Sequence, residues 1–235
     1  MKGGRTIRTL SASQPYFAPF GGFFAKVHGS DIFVIMDSVQ FPRGTTWITR
    51  NRFKNHQGTL WLTIPVWKKG LGLQRIDRVT VCHEGRWQRK HLESLKSAYA
   101  HAPYFADHLE FLAGLFSQRY ERLIDFNLAV LRHLMKHLDI RTEVELLSDL
   151  NIQATGSSGL VDMCRTLGAT RFLAQAPARK YLDIPLIEKA GIELSFFQPP
   201  SPVYPQLWGD FLPNLSVFDL LFNLGPKAKE ILFVR

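Results

Sequence analysis

The chain reads as an α/β protein: a mainly parallel sheet flanked by helices, with a helical segment in the middle of the chain. Three observations predict this. Short apolar runs of strand length alternate with stretches of helical spacing, the rhythm of β-α-β units. Residues 31–37 (DIFVIMD) form an apolar run that suits a strand buried on both faces, as parallel strands usually are. Between about residues 86 and 140 the strand rhythm stops, and FNLAVLRHLMKHL carries apolar residues at helical spacing.

In chain order, residues 6–13 (TIRTLSAS) read as a strand, stopped by Pro15 and Pro19. Residues 20–27 read as a short helix with Gly21 and Gly22 near its start, and residues 31–37 as the next strand. A long polar loop is expected over residues 38–54, and loops of that length inside compact domains are usually functional or mobile. Residues 60–66 (LWLTIPV) and 77–82 (DRVTVC) read as two further strands around a basic, glycine-containing loop. Helices follow over residues 86–100 and 104–138, separated by Pro103, with a break in the second expected near Gly114. Residues 143–147 form a strand, and residues 159–167 a helix with Ser157 or Ser158 as N-cap. Residues 171–175 are a strand, and residues 187–190 begin a helix closed by Gly191. Residues 192–197 form the last strand. The proline-rich QPPSPVYPQLWGDFLPN is irregular, and a helix over about 215–223 and a short one after Pro226 finish the chain.

The 235 residues are read as one domain, with residues 86–140 as a helical insertion or a cover on one sheet face. No apolar run of membrane-spanning length occurs, and the N-terminus lacks the apolar core of a signal peptide, so the expected location is the cytoplasm. Cys82 and Cys164 form neither a disulfide framework nor a metal spacing and are expected to be reduced and at least partly buried. The net charge of +9 suggests an anionic partner. Because the basic residues are dispersed, a compact anion such as a nucleotide sugar or acyl donor fits as well as nucleic acid.

The leading candidate site is Gln14–Asp37–Gln40. Gln14 and Asp37 each sit just past an apolar strand, and parallel strands would bring both to the carboxyl edge of the sheet, where ligands of open α/β sheets bind. A carboxylate there can act as base, orient a hydroxyl or amine, or hold Mg²⁺ with a substrate phosphate, while the two amides can fix a sugar. Arg43, Arg50, Asn51 and Arg52 extend the site; guanidinium forks suit phosphate or carboxylate. In an extended segment Arg50 and Arg52 share one face and Asn51 takes the other. Tyr181, beside Arg179 and Lys180, could form a second anion-binding edge, and Tyr204 and Gln206 could stack on and hydrogen-bond to a base or sugar. Ser216, Asp219 and Asn223 make a polar stripe on an otherwise apolar helix, explained by a ligand or by a capping box. GSSG at residues 156–159 reads as a helix start and matches no phosphate loop. His133 and His137, at i and i+4, read as an exposed helix face, and His83, His91, His101 and His108 show no ligand spacing. No protein-only metal centre is expected, and no cofactor is identified.

Several runs together carry a resemblance. QP-x-F-x-PF-x-GF (residues 14–23) is followed by DIFVIMDSVQF, WITRNR, LWLTIPV, RKHLESLKSAYAHAPYF, RFLAQAPARKYL and PVYPQLWGDFLPNLSVFDLLFNLG. In order and spacing these resemble the WbqC-like family of bacterial proteins over nearly the whole chain. The resemblance implies surface-polysaccharide, O-antigen-type biosynthesis and an enzyme acting on a nucleotide-linked sugar, with acyl or aminoacyl transfer as the expected reaction. In this reading Asp37 is the base or orienting carboxylate, Gln14 and Gln40 fix the acceptor, and the arginines hold phosphate or carboxylate. The segments around Tyr181, Tyr204 and Asp219 are expected to close the other side of that cleft. Phe17 and Phe23 stand where tyrosines are common in the family, and Ser38 where an acidic residue is common. The strand, proline loop and glycine-started helix also resemble nucleotidyltransferases with a HIGH-type signature, but residues 15–24 hold no histidine, which argues against simple adenylyl transfer. The alternative is a non-catalytic binding protein for nucleotide sugar or RNA.

Overall fold

The computed structural model describes residues 7–233, so Thr6, with which the first expected strand begins, lies outside them. Backbone contacts divide the chain into two compact units interleaved in sequence.

The first unit comprises residues 7–14, 25–37 and 141–199. It is a five-stranded sheet of β1 (Thr9–Ser13), β2 (Ile32–Ile35), β5 (Glu143–Leu146), β6 (Arg171–Gln175) and β7 (Glu193–Phe197). The order is β5-β2-β1-β6-β7, and every neighbouring pair is parallel. All four residues of β2 are buried, as its unbroken apolar run predicts. Helix α1 (Gly21–His28) connects β1 to β2 and crosses the division between units; α5 (Gly156–Thr166) and α6 (Ile184–Lys189) belong to this unit. One core joins Leu10 and Val34 to Leu160, Cys164, Phe172 and Ile187. Helix α5 starts one turn earlier than expected, with Thr155 as N-cap. Ser157 instead accepts a hydrogen bond from the Asp183 amide (2.8 Å). Gly159 is required by packing, since a Cβ there would stand 2.5 Å from the Ala154 carbonyl oxygen.

The second unit comprises residues 15–24, 38–140 and 200–233. Its sheet is the antiparallel hairpin of β3 (Arg50–Asn55) and β4 (Gly58–Thr63). The loop expected over residues 38–54 therefore ends in a strand, and LWLTIPV pairs with that strand and not with the parallel sheet. Residues 77–82 are no strand. A single 3-10 turn over Ile76–Arg78 leads into isolated bridges from Thr80 to Arg122 and from Val81 to Val66. Val79 and Val81 bury their branched side chains there without a ladder to join. The helices are α2 (Trp87–Tyr99), α3 (Ala106–Ser117), α4 (Leu123–His137), α7 (Val217–Leu224) and α8 (Ala228–Leu232). The break expected at Gly114 falls later, where Gln118 and Arg122 turn extended; Gly114 is exposed inside α3, where the missing side chain packs against nothing. Aromatic packing fills the core: Trp87, Phe17 and Phe116 surround Phe126, and Phe53 of β3 stacks on Phe218 of α7. Among the described residues no helix is long and apolar enough to cross a membrane.

Candidate functional site

In the sheet unit the strand order reverses at β1, with β2 and β5 to one side and β6 and β7 to the other. Open parallel sheets place their ligand crevice at the carboxyl ends beside such a reversal. Gln14 follows β1 directly, is half-buried, and makes no side-chain hydrogen bond among the described residues. Asp37, just past β2, is 2 % exposed. One of its oxygens accepts from the Ser148 amide (2.9 Å) and the other from the Ser148 hydroxyl (2.7 Å), tying the end of β2 to the turn after β5. Tyr181, after the turn that follows β6, is 84 % exposed, and the Arg179 guanidinium lies 4.2 Å from the Phe196 ring centre.

Lys26 of α1 adds a charge that the sequence reading passed over. Its ammonium is buried at the carboxyl end of β1, donating to the Ala12 carbonyl (2.8 Å) and the Ser13 hydroxyl (2.7 Å). Burial pushes its pKa down to about 8. The signal was present: one lysine between Phe24 and Val27 on a short apolar helix with strands on either side.

In the hairpin unit, Arg50 and Arg52 share the outer face of β3, and Asn51 points to the buried side, as strand alternation predicts. Two residues not singled out from sequence complete that face. Trp61 lies opposite Arg52 on β4, and Trp47 stacks on Trp61 at 5.8 Å and 29°. The Arg50 guanidinium sits 3.9 Å from the Trp61 ring centre, and that of Arg52 5.9 Å from Trp47. Trp47 and Trp61 remain 44 % and 40 % exposed. The Arg50 guanidinium makes no hydrogen bond among the described residues, so cation–π contact holds its position while its side-chain N–H groups stay unpaired. Arg52 donates to the Pro213 and Asn214 carbonyls (3.3 and 3.0 Å), and its Nε is buried without a partner. Gln40 and Arg43 are exposed, with Gln40 bridged to Arg75 through the backbone.

Asn51 is a clamp. Its amide donates to the Phe17 and Ala18 carbonyls (3.0 and 2.7 Å), and its oxygen accepts from the Arg52 amide. Asn127 of α4 holds the same loop through the Pro15 carbonyl (2.8 Å), along with that of Ile48 (2.9 Å). Between these clamps Ala18 is buried at φ 42°, a conformation that costs a residue with a Cβ about 1 kcal/mol or more and persists only where its surroundings impose it.

Asp219 of α7 is fully buried and accepts from the hydroxyls of Tyr99 (2.7 Å) and Tyr204 (2.8 Å). The capping box considered for this stripe does not form: Ser216 caps the helix, but Asp219 spends its carboxylate on the tyrosines. Burial raises the carboxyl above its ordinary value, against the pull of the tyrosine hydroxyls and the Lys54 charge. Tyr99 also accepts from the Lys54 amide (2.9 Å). The buried Lys54 ammonium donates to Gln206 Oε1 (3.1 Å) and the Asp210 carbonyl (2.6 Å). Gln206 closes its own loop through both main-chain groups of Leu212. Tyr204, Gln206 and Asp219 thus meet in one network, which recruits Tyr99 and Lys54.

The histidine reading is corrected. His133 and His137 are half-buried, not an exposed face, and His108, which had no sequence partner, packs against both. Spacing within one helix could not reveal a third ring supplied by α3.

The model of the WbqC-like protein family matches residues 14–231, a span that includes every candidate site residue. The chain belongs to the WbqC-like family. The uncharacterized protein Rv1507c of Mycobacterium tuberculosis is 30% identical over 228 residues, covering 96% of this chain and 98% of that protein. No solved structure matches the chain significantly.

Proposed function

We propose that this WbqC-like protein acts in surface-polysaccharide assembly, transferring an acyl or aminoacyl group to or from a nucleotide-linked sugar. The observation that supports this best is the exposed Arg50–Trp61–Trp47–Arg52 face. Flat rings stack on a base or sugar, and a guanidinium with unpaired N–H groups reads phosphate through two parallel bonds. Arg50, with Arg43 on the same unit, is the anion-binding group in this reading. Arg52, which donates through Nη2 to two backbone carbonyls, and Asn51, whose amide is engaged with backbone, position the face and its loop. Tyr204 and Gln206, in the proline-rich segment, and Asp219 brace β3 through Tyr99 and Lys54.

Taken by itself, the sheet unit offers the half-buried Gln14 amide and the buried Asp37 carboxylate as groups that would orient a hydroxyl or amine. The two Ser148 bonds favour the orienting role of Asp37 over that of base. In acyl transfer the sugar amine or hydroxyl forms a bond to the acyl carbon, the donor's leaving group departs, and the nucleophile loses its proton. A cytoplasmic location accords with a nucleotide-linked sugar as the acceptor. Partly exposed tryptophan rings on a basic face also favour a second reading, a non-catalytic binder of single-stranded RNA. Calorimetric titration with a panel of nucleotide sugars and with an unstructured RNA oligonucleotide tests both. The expected result is saturable binding of at least one nucleotide sugar, weakened about tenfold or more by Arg50→Ala, the loss of about 1.4 kcal/mol. Binding of RNA alone would replace the first reading with the second.

A further inference from the structure

Helices α3 and α4 bring His108, His133 and His137 together so that one ring nitrogen from each lies within 4.8 Å of the others. His133 and His137 stand one turn apart with ring centres at 4.4 Å, and His108 is at 5.1 and 4.4 Å from them. Among the described residues these three rings make one side-chain hydrogen bond, His108 Nδ1 to His133 Nε2 at 2.9 Å. Core histidines normally bond to backbone or carboxylate, whereas these three face one another. The rings are also oriented by packing. Phe111 stacks flat on His133 at 3.6 Å and 6°, and Phe218 and Phe222 meet His108 edge-on. The cluster is reachable: His108 and His137 border an open cavity of about 130 Å³ with Asp107 on its wall. His133, His137 and Asp107 also border a second hollow.

We infer that His108, His133 and His137 bind one divalent transition-metal ion of the imidazole-preferring class, of which zinc is the type. Three nitrogens select zinc, copper, nickel or iron over Mg²⁺ and Ca²⁺, which take oxygen ligands. Zinc–nitrogen bonds of about 2.0–2.1 Å in a tetrahedron separate the nitrogens by roughly 3.3 Å. The present spacings, 2.9 Å for one pair and no more than 4.8 Å for any, bracket that value. Three protein ligands leave a fourth position facing the cavity, for water, for Asp107 or for an incoming donor atom, as in open zinc sites. This site is separate from the Arg–Trp face and stands or falls independently of the proposed function.

The test uses untagged full-length protein freed of metal with a chelator and titrated with Co²⁺ as the visible probe, followed by Zn²⁺ as competitor. One equivalent of Co²⁺ giving tetrahedral absorption bands, displaced by one equivalent of Zn²⁺ and unaffected by Mg²⁺, is expected. His133→Ala and His137→Gln should each weaken binding by about 100-fold or more, beyond the 10–100-fold typical of losing a group that merely orients a ligand. If His133→Ala does not fold by circular dichroism, the half-exposed His137→Gln decides. Absence of stoichiometric Co²⁺ binding to the folded protein, or affinity unchanged in folded His137→Gln, overturns the assignment.

Discussion

Asp37 in the sheet unit and Asp219 in the hairpin unit are both buried carboxylates, held in opposite ways. Asp37 takes two bonds from one residue, Ser148, at a turn next to the strand end it follows. Asp219 gathers hydroxyls from Tyr99 on α2 and Tyr204 in the proline-rich segment, with the Lys54 ammonium near enough to affect it. The first is a local brace; the second joins a helix, a strand and an irregular segment. The two lysines differ likewise. Lys54 lies close to carboxylate charge, while Lys26 meets a carbonyl, a hydroxyl and the face of the Phe33 ring at 5.7 Å. Burial thus says that a polar group must be satisfied, but not whether it serves the fold or a ligand. The outer face of β3 shows the complementary case, where Arg50 is accessible and its donors are unspent.

Substitutions can break or sharpen this contrast. Asp219→Ala is expected to cost the most, since it strands two tyrosine hydroxyls. A loss of about 3 kcal/mol or more should appear in urea unfolding followed by circular dichroism. A loss below about 1 kcal/mol would show that the network is not the joint described here.

Lys26 gives a pH-dependent effect of similar size. Its folded-state pKa, about 8, lies below its ordinary 10.5, so the folded protein disfavours the ammonium. The penalty is full below about pH 8 and is relieved as pH rises to 10.5, where the unfolded chain also loses the proton. Wild-type stability relative to Lys26→Met should therefore rise across that window by about 3 kcal/mol, from about 1.4 kcal/mol per pKa unit. A difference between the two proteins that is flat with pH would refute the buried-ammonium reading.

Asp37→Ala should cost about 1–3 kcal/mol by leaving the Ser148 donors unpaired, and Asp37→Asn less, because one acceptor oxygen survives. If the carboxylate orients substrate, Asp37→Asn should also lower turnover beyond what its stability loss explains; a brace alone would track stability. Arg50→Ala should cost least, about 0.5–1 kcal/mol from the lost cation–π contact, with a change in Trp61 fluorescence. A larger loss would make Arg50 a structural residue like Asn51.

Much of the fold was legible before any coordinates. The apolar runs of β2 and β6, the helical spacing of α4 and the prolines after β7 declare their conformations within a few residues, because local patterns are read by local rules. Residues 77–82 misled because their pattern is that of a strand, and only a neighbour with free backbone groups could have made it one. The site was half legible. Alternation placed Arg50 and Arg52 on one face because the period of a strand is a local property. Trp61 opposite Arg52, stacked on Trp47, depends on hairpin register, which no single strand contains.

The sequence by itself determined the alternating α/β plan, the family, and the residues at the ends of β1 and β2, since each follows from contiguous residues. Tertiary structure alone decided that Asp219 answers two tyrosines, that Lys26 lies buried beneath β1, and that His108 joins His133 and His137. Those groups are far apart in the chain or on opposite elements, and burial in a low-dielectric interior, not spacing, set which partners they had to find.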